Sequence, residues 1–168
     1  MPQVSIKEIS IKELAKDELP LLLLVHNYED TTEMLYHNSS LIDTGAASFY
    51  ALFFRETIVG ELRVKYDDKD PAFALRGKRV YLYALRIHKN YRRMGLATHL
   101  VKSVIDLLSG QGYTEITIGV EDDNTVAHHI YESLGFNTFI KRVIEEYQGD
   151  KYEYNLYLKK NTEDTKCH

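Results

Sequence analysis

The chain has 168 residues, a formal net charge of −4 and a single cysteine. That length suits one domain with a well-buried core. The acidic balance excludes the basic footprint of duplex nucleic-acid binding, and without a run of about 18 apolar residues no membrane span is expected. Cys167 stands in a polar tail, residues 161–168, so neither a disulfide framework nor a cysteine metal cluster is expected, and a cytoplasmic location is the simplest expectation.

In chain order, residues 4–9 alternate as a short strand, and Ile11, Leu14, Ala15 and Glu18 then recur at helical spacing with Ser10 as their N-cap. The apolar run Leu19-Pro20-Leu21-Leu22-Leu23-Leu24-Val25 is flanked by Asp17-Glu18 and His26, and it lacks the basic start and small-residue cleavage site of a secretory signal. A second short helix opens at Thr31-Thr32-Glu33-Met34-Leu35 and ends before Gly45. Residues 48–54 and 58–66 are rich in β-formers and predict a hairpin around Glu56-Thr57. Asp67-Asp68-Lys69-Asp70-Pro71 reads as a loop. A strand from Arg79, a long helix to about Ser109, a turn at Gly110-Gln111-Gly112, a strand from Glu115 and a helix from Asn124 follow. Residues 137–147 and 151–159 close the chain as an antiparallel pair turning at Gln148-Gly149-Asp150. The order is mixed α/β, without repeat or linker, and predicts a single domain over residues 1–160.

Two segments carry chemistry. The first is Arg92-Arg93-Met94-Gly95-Leu96-Ala97, between a predicted strand and a predicted helix. The first amides of a helix lack intrahelical acceptors and sit at the positive end of its dipole, so a glycine there lets an anion approach bare donors. Two arginines at that end oppose the dipole until an anion arrives. On these residues alone an exposed basic turn capped by Asn90 reads as well. The second segment is Asn124-x-x-Ala127-x-x-x-Tyr131-x-x-x-Gly135-Phe136, in which Ala127, Tyr131 and Leu134 share a helix face and Gly135 is the stop.

Together these segments resemble the GCN5-related N-acetyltransferases, the GNAT superfamily. The first meets that family's Gln/Arg-x-x-Gly-x-Gly/Ala signature with Arg92, Gly95 and Ala97. The second meets its Asn, Ala and Tyr leading into Gly-Phe. The strict match covers residues 80–136. The resemblance implies a GNAT-like acyl-CoA N-acyltransferase fold, a central twisted, mostly antiparallel sheet with splayed middle strands and flanking helices. It implies acetyl-CoA as acyl donor, no metal, and transfer to a primary amine by direct attack in a ternary complex. It also admits a homodimer.

On that reading, the backbone of Arg93, Met94, Gly95, Leu96, Ala97 and Thr98, with Arg92, cradles the pyrophosphate. The pantetheine arm pairs with Leu85, Arg86 and Ile87 as an added strand would. An N–H of that segment meets the thioester oxygen, a donor worth on the order of 3 kcal/mol of barrier. Asn124 and Ala127 complete the cofactor contacts, and Tyr131 holds or protonates the leaving sulfur. A tyrosine on an apolar helix face is ordinarily core; it is the flanking Asn124 and Gly135-Phe136 that turn the reading.

The amine's proton needs an acceptor. Many relatives place a glutamate on the strand before the cradle, where this chain has Ala84 and no carboxylate between residues 79 and 87. Glu61, Glu121 and, less well directed, His88 are the candidates. Asp67, Asp68, Asp70, Glu145, Glu146 and Asp150, interleaved with Tyr147, Tyr152 and Tyr154, suggest an amine-bearing small molecule or peptide as acceptor. The alternative is an acyl-CoA-binding sensor or interaction module that does not turn over. His128-His129 do not read as a metal site, because neighbouring helix residues diverge by about 100°. The Gly-x-Gly-x-x-Gly of a dinucleotide fold is absent.

Overall fold

The computed structural model describes residues 4–25 and 31–161. His26 and Cys167, both named above, lie outside them. The strands are β1 (Ile9–Glu13), β2 (Ala47–Phe54), β3 (Thr57–Lys65), β4 (Arg79–Ile87), β5 (Glu115–Val120), β6 (Thr138–Tyr147) and β7 (Asp150–Lys160), and the α-helices are α1 (Thr31–Asp43), α2 (Leu96–Gly110) and α3 (Thr125–Ser133). The strands form one mixed sheet in the order β1-β2-β3-β4-β5-β7-β6. The chain clusters into two compact units, one holding residues up to Lys65 with Tyr83–Asp106, the other Tyr66–Leu82 with the chain from Leu107 on. Both β4 and α2 pass from one unit into the other. Among the described residues no helix is long and apolar enough to cross a membrane.

In the first unit, β2 runs antiparallel to β1 and β3, with Glu13 opposite Tyr50 and Ala51 opposite Glu61. Leu14, Leu19, Leu22, Ala47, Phe49, Ala51 and Ile58 form its core, and Leu35, Leu41 and Ile42 of α1 pack on it. Each fully buried leucine of such a cluster is worth roughly 1.5–3 kcal/mol. The N-terminal segment differs from the sequence reading. Residues 6–8 form a 3-10 turn, in which Ser5 caps the N–H of Lys7, and the strand begins only at Ile9. Ser10 therefore lies in the strand and is no helix cap. The helical segment starts at Lys16 as a 3-10 helix to Leu24, its N-terminus satisfied by Glu18, which accepts from the Ala15 N–H at 3.0 Å. Pairing with β2 decides the matter: it uses the alternation of Ile9 and Ile11, and the Ser48 hydroxyl donates to Glu13 at 2.8 Å. The β2–β3 turn falls on Arg55 and Glu56, one residue early, with Arg55 at φ 53°.

In the second unit, β4 runs parallel to β5 from Arg79↔Glu115 to Leu82↔Ile118, while β5 and β6 are both antiparallel to β7. Phe73, Val143 and Leu156 form its core with Tyr81, Ile140 and Tyr154 around them. The buried Thr117 hydroxyl donates to the carbonyl of Phe73 at 2.6 Å, and Arg79 Nε donates to Glu115 at 2.7 Å. The closing turn is Gln148-Gly149 alone, since Asp150 already pairs with Tyr147. α2, whose residues up to Asp106 belong to the first unit, buries Leu96, Leu100, Val101, Val104 and Ile105 there and Leu108 beyond, the stripe that its 3.6-residue period predicts.

Candidate active site

Residues 92–98, the segment expected to cradle a pyrophosphate, belong to the first unit. Ala84 breaks β4 by taking φ 55°, a left-handed conformation that costs an alanine of order 1 kcal/mol. The parallel ladder ends two residues earlier, at Leu82. Beyond the break Leu85 is half-buried, Arg86 exposed and Ile87 buried. The chain then turns through a short 3-10 helix, Lys89–Tyr91, which His88 caps: its Nδ1 accepts the Asn90 N–H at 3.2 Å. Asn90 is thus the capped residue, not the cap, that the basic-turn reading made it. That bond engages Nδ1 within the chain's own turn. Tyr91 packs its ring on Phe54, centroids 5.9 Å apart.

Arg92 Nε donates to the carbonyl of Ile87 at 2.9 Å and fixes the exit from β4. Arg93 and Gly95 both take left-handed backbone angles, φ 64° and 75°. The carbonyl of Gly95 accepts from His99 N–H at 3.1 Å, which makes Gly95 the residue before the helix and not a member of its first turn. A Cβ built on Gly95 meets nothing within 4 Å. The amides of Leu96, Ala97 and Thr98 have no intrahelical acceptor there.

Glu61, in the same unit, is the largest surprise. It is 0% exposed, on a strand covered on both faces. Burial pushes its carboxyl up to about 7, against a smaller opposing pull from Arg63 and Arg86. Both Nε and a terminal nitrogen of Arg63 lie 3.4 Å from the carboxylate, and the guanidinium stacks 5.0 Å from the centroid of Phe49. A carboxyl group so placed gives up or takes a proton near neutrality.

Tyr131 belongs to the second unit. Asn124 caps α3, its Oδ1 accepting the Ala127 N–H at 3.1 Å, so that oxygen holds the helix. At the other end Gly135 N–H donates to Glu132 at 3.1 Å and Phe136 N–H to Tyr131 at 3.0 Å, with Gly135 at φ 99°. This is the Schellman stop, and its usual apolar contact between C″ and C3 is here Phe136 edge-on to Tyr131, centroids 6.0 Å apart. The Tyr-x-x-x-Gly-Phe spacing thereby has a physical reason: the glycine that ends the helix delivers the phenylalanine that clamps the tyrosine. Tyr131 lines a cavity of about 310 Å³ with Val120, His128, Glu132, Phe136, Asn137 and Tyr157. Burial pushes its phenol up to about 12.

Glu121 is exposed, and its backbone carbonyl bonds His128 Nε2 at 3.0 Å. Among the described residues there is no group of three or more side chains that could hold a metal. The acidic loops are largely engaged within the chain. Asp70 pairs with Lys141, Asp67 lies 3.6 Å from Arg76, Glu146 lies 4.0 Å from Lys151, and Glu145 accepts the Tyr154 hydroxyl at 2.6 Å. Tyr154 is no surface aromatic: a Cβ on Gly119 would come within 2.7 Å of its ring. Sequence reasoning missed Arg63, the break at Ala84 and this Tyr154 wedge. Only the last left a signal, a glycine inside a strand.

The chain matches the family model for the acetyltransferase (GNAT) family over residues 9–136. It is 30% identical over 169 residues to the "N-terminal acetyltransferase complex ARD1 subunit homolog" of Dictyostelium discoideum, covering 97% of this chain and 77% of that protein. It is 38% identical over 81 residues to "N-alpha-acetyltransferase 30" of Schizosaccharomyces pombe, 47% of this chain, and spans about half (53%) of that relative. Among solved structures, a mutant of the spermidine N-acetyltransferase SpeG from Vibrio cholerae superposes with TM-score 0.73 at 16% identity, covering 92% of this chain and 95% of that one. The ribosomal L7/L12 α-N-protein acetyltransferase RimL in complex with coenzyme A gives 0.70 at 15%, covering 94% and 96%.

Proposed function

The chain belongs to the acetyltransferase (GNAT) family, and we propose that it moves an acetyl group from acetyl-CoA to the terminal amine of a peptide by direct attack in a ternary complex. The observation that carries this reading is the open N-terminus of α2, where two left-handed residues turn the chain and the position of a Gly95 side chain is empty space. A pyrophosphate fits those donors, so the residues present suit the acyl donor that the family uses. Acetyl-CoA supplies an activated acyl carbon and a thiolate leaving group.

On this reading the amides of Leu96, Ala97 and Thr98 bind the pyrophosphate, with Arg93 beside them. Past Ala84, the backbone of Leu85, Arg86 and Ile87 holds the pantetheine arm and aims an N–H at the oxygen that gains charge. Glu61 takes the amine's proton, through water, as the N–C bond forms and the C–S bond breaks. Its carboxyl, balanced near 7, suits a base at neutral pH. Tyr131 donates a hydrogen bond to the departing sulfur. Full proton transfer from a phenol near 12 to a thiolate with an ordinary pKa of about 8.5 would run uphill by about 5 kcal/mol.

A peptide amine is favoured over a polycation because Asp70, Glu145 and Glu146 already have partners within the chain. The likeness along almost the whole chain to an N-terminal acetyltransferase subunit homolog supports the same choice. Thiol release from acetyl-CoA, measured against short peptides, polyamines, aminoglycosides and amino acids, tests it. Peptides with free N-termini should turn over fastest. Faster turnover of spermidine would reverse the acceptor assignment, and binding of acetyl-CoA without any turnover would make the protein a sensor. With the best acceptor, kcat/KM should rise with pH through an apparent pKa near 7, and Glu61→Gln should lower kcat by about 10²–10⁴ and remove that limb.

A further inference from the structure

Glu61 and Arg63 are two residues apart on β3, so both side chains leave the same face of the sheet, the face that Ala51 and Phe49 of β2 share by pairing opposite them. There Ala51 and Phe49 join Leu19 and Leu22 in one apolar cluster. An ion pair 0% and 9% exposed in such a place is a poor device for stability, because apolar side chains can often replace a buried pair at no net cost. Its geometry is specific all the same. Nε of Arg63 faces one oxygen of Glu61 and a terminal nitrogen faces the other, each at 3.4 Å, so guanidinium and carboxylate meet edge to edge. The guanidinium also lies over the Phe49 ring, 5.0 Å from its centroid, which restrains the planar head from swinging away.

We propose that Arg63 is a positioning residue that keeps the Glu61 carboxyl ionised at neutral pH and fixes both of its oxygens, with Phe49 as the platform that holds the guanidinium in place. The inference rests on the reading of Glu61 as the base. A carboxyl buried among apolar side chains stays neutral near pH 7 unless a cation stands beside it, and a neutral acid cannot take the amine's proton. Among the described residues, the other charged groups on the elements around that face are engaged or exposed. Lys12, opposite Ala51 on β1, pairs with Glu18, and Lys16 pairs with Asp43 at 2.7 Å. Asp17, Glu33 and His37 are exposed, and Asn38, buried on α1, is neutral. Lys65 lies beyond Arg63 on β3, and Arg86, exposed on β4, adds a weaker pull.

The test reads the carboxyl directly. In protein labelled with 13C at its glutamate side chains, the Glu61 resonance, identified by its loss in Glu61→Gln, should titrate with a midpoint near 7. Arg63→Met removes the opposing charge and should raise that midpoint by at least about one unit, whereas Arg63→Lys keeps the charge and should hold it within about half a unit. The rising limb of kcat/KM should move with the midpoint. Arg63→Met should then lose about tenfold at pH 6 and recover toward the wild-type rate above its new midpoint. Should Arg63→Met fail to fold, Arg63→Gln removes the same charge and keeps a polar head. A midpoint that the neutral variants leave in place overturns the proposal, and a rate then lost equally at every pH marks Arg63 as packing. A midpoint that moves while the pH–rate limb stays put supports Arg63's hold on the carboxyl and sinks Glu61 as the base, so the two failures are distinct.

Discussion

At the start of α2 a glycine precedes the helix and leaves its first amides to whatever binds there, whereas at the start of α3 Asn124 takes the Ala127 N–H into its own side chain. The end of α3 is closed as well, by the two bonds that Gly135 and Phe136 donate back into the helix. Both glycines sit at positive φ, yet they serve opposite purposes. Gly95 leaves open space beside the first amides of its helix, and Gly135 uses the backbone up to hold one side chain still. A motif glycine is thus interpretable only with the fate of the neighbouring hydrogen bonds.

The contrast is broken most severely at Gly95. Gly95→Glu should abolish the thermal upshift that acetyl-CoA gives the wild type, an upshift that follows from ligand binding to the native state alone. A folded variant that keeps its upshift would remove the cradle from the argument. Tyr131→Phe should come next, with kcat reduced roughly 10- to 1000-fold and cofactor affinity little changed. If affinity collapses while kcat holds within about twofold, the tyrosine is packing. Gly135→Ala acts on stability: the left-handed angle should lower unfolding free energy by about 1–2 kcal/mol in a denaturant titration, while the tip of Lys159, which the new methyl would meet, can swing aside. Asn124→Ala should cost about 1 kcal/mol by the same measurement, the loss of one cap. A much larger loss of cofactor binding than of stability in that variant would show that its amide also serves the ligand.

The motif helices, the β2–β3 pair and the loop at residues 67–71 were legible because periodicity, turn residues and spacing all agree there. The N-terminus was misread because its apolar spacing suits either period, and only β2 decides between them. Glu61 was legible as a candidate base but not as a buried one. Within Gly60-Glu61-Leu62-Arg63 the charges alternate as they would on a solvated strand face, and nothing local shows that the sheet is covered on that side. Its titration follows from the covering. Since the folded state raises that carboxyl from the ordinary range to about 7, folding takes up a proton between those values, and stability falls by about 3 kcal/mol as pH rises through that window.

Ala84 bears on how this sequence can drift. An L-residue at φ 55° inside a strand is selected by backbone angle and not by what surrounds it. Its neighbours Tyr83 and Leu85 answer to packing, so one bulky residue can replace another there over time. Position 84 answers to a further filter, which favours glycine and unbranched side chains and rejects valine and isoleucine however well they would fill space. Homologues should therefore vary freely in hydrophobicity on either side of a site whose own alphabet is short, and that narrowness would mark the break in the strand even where every side chain around it has changed.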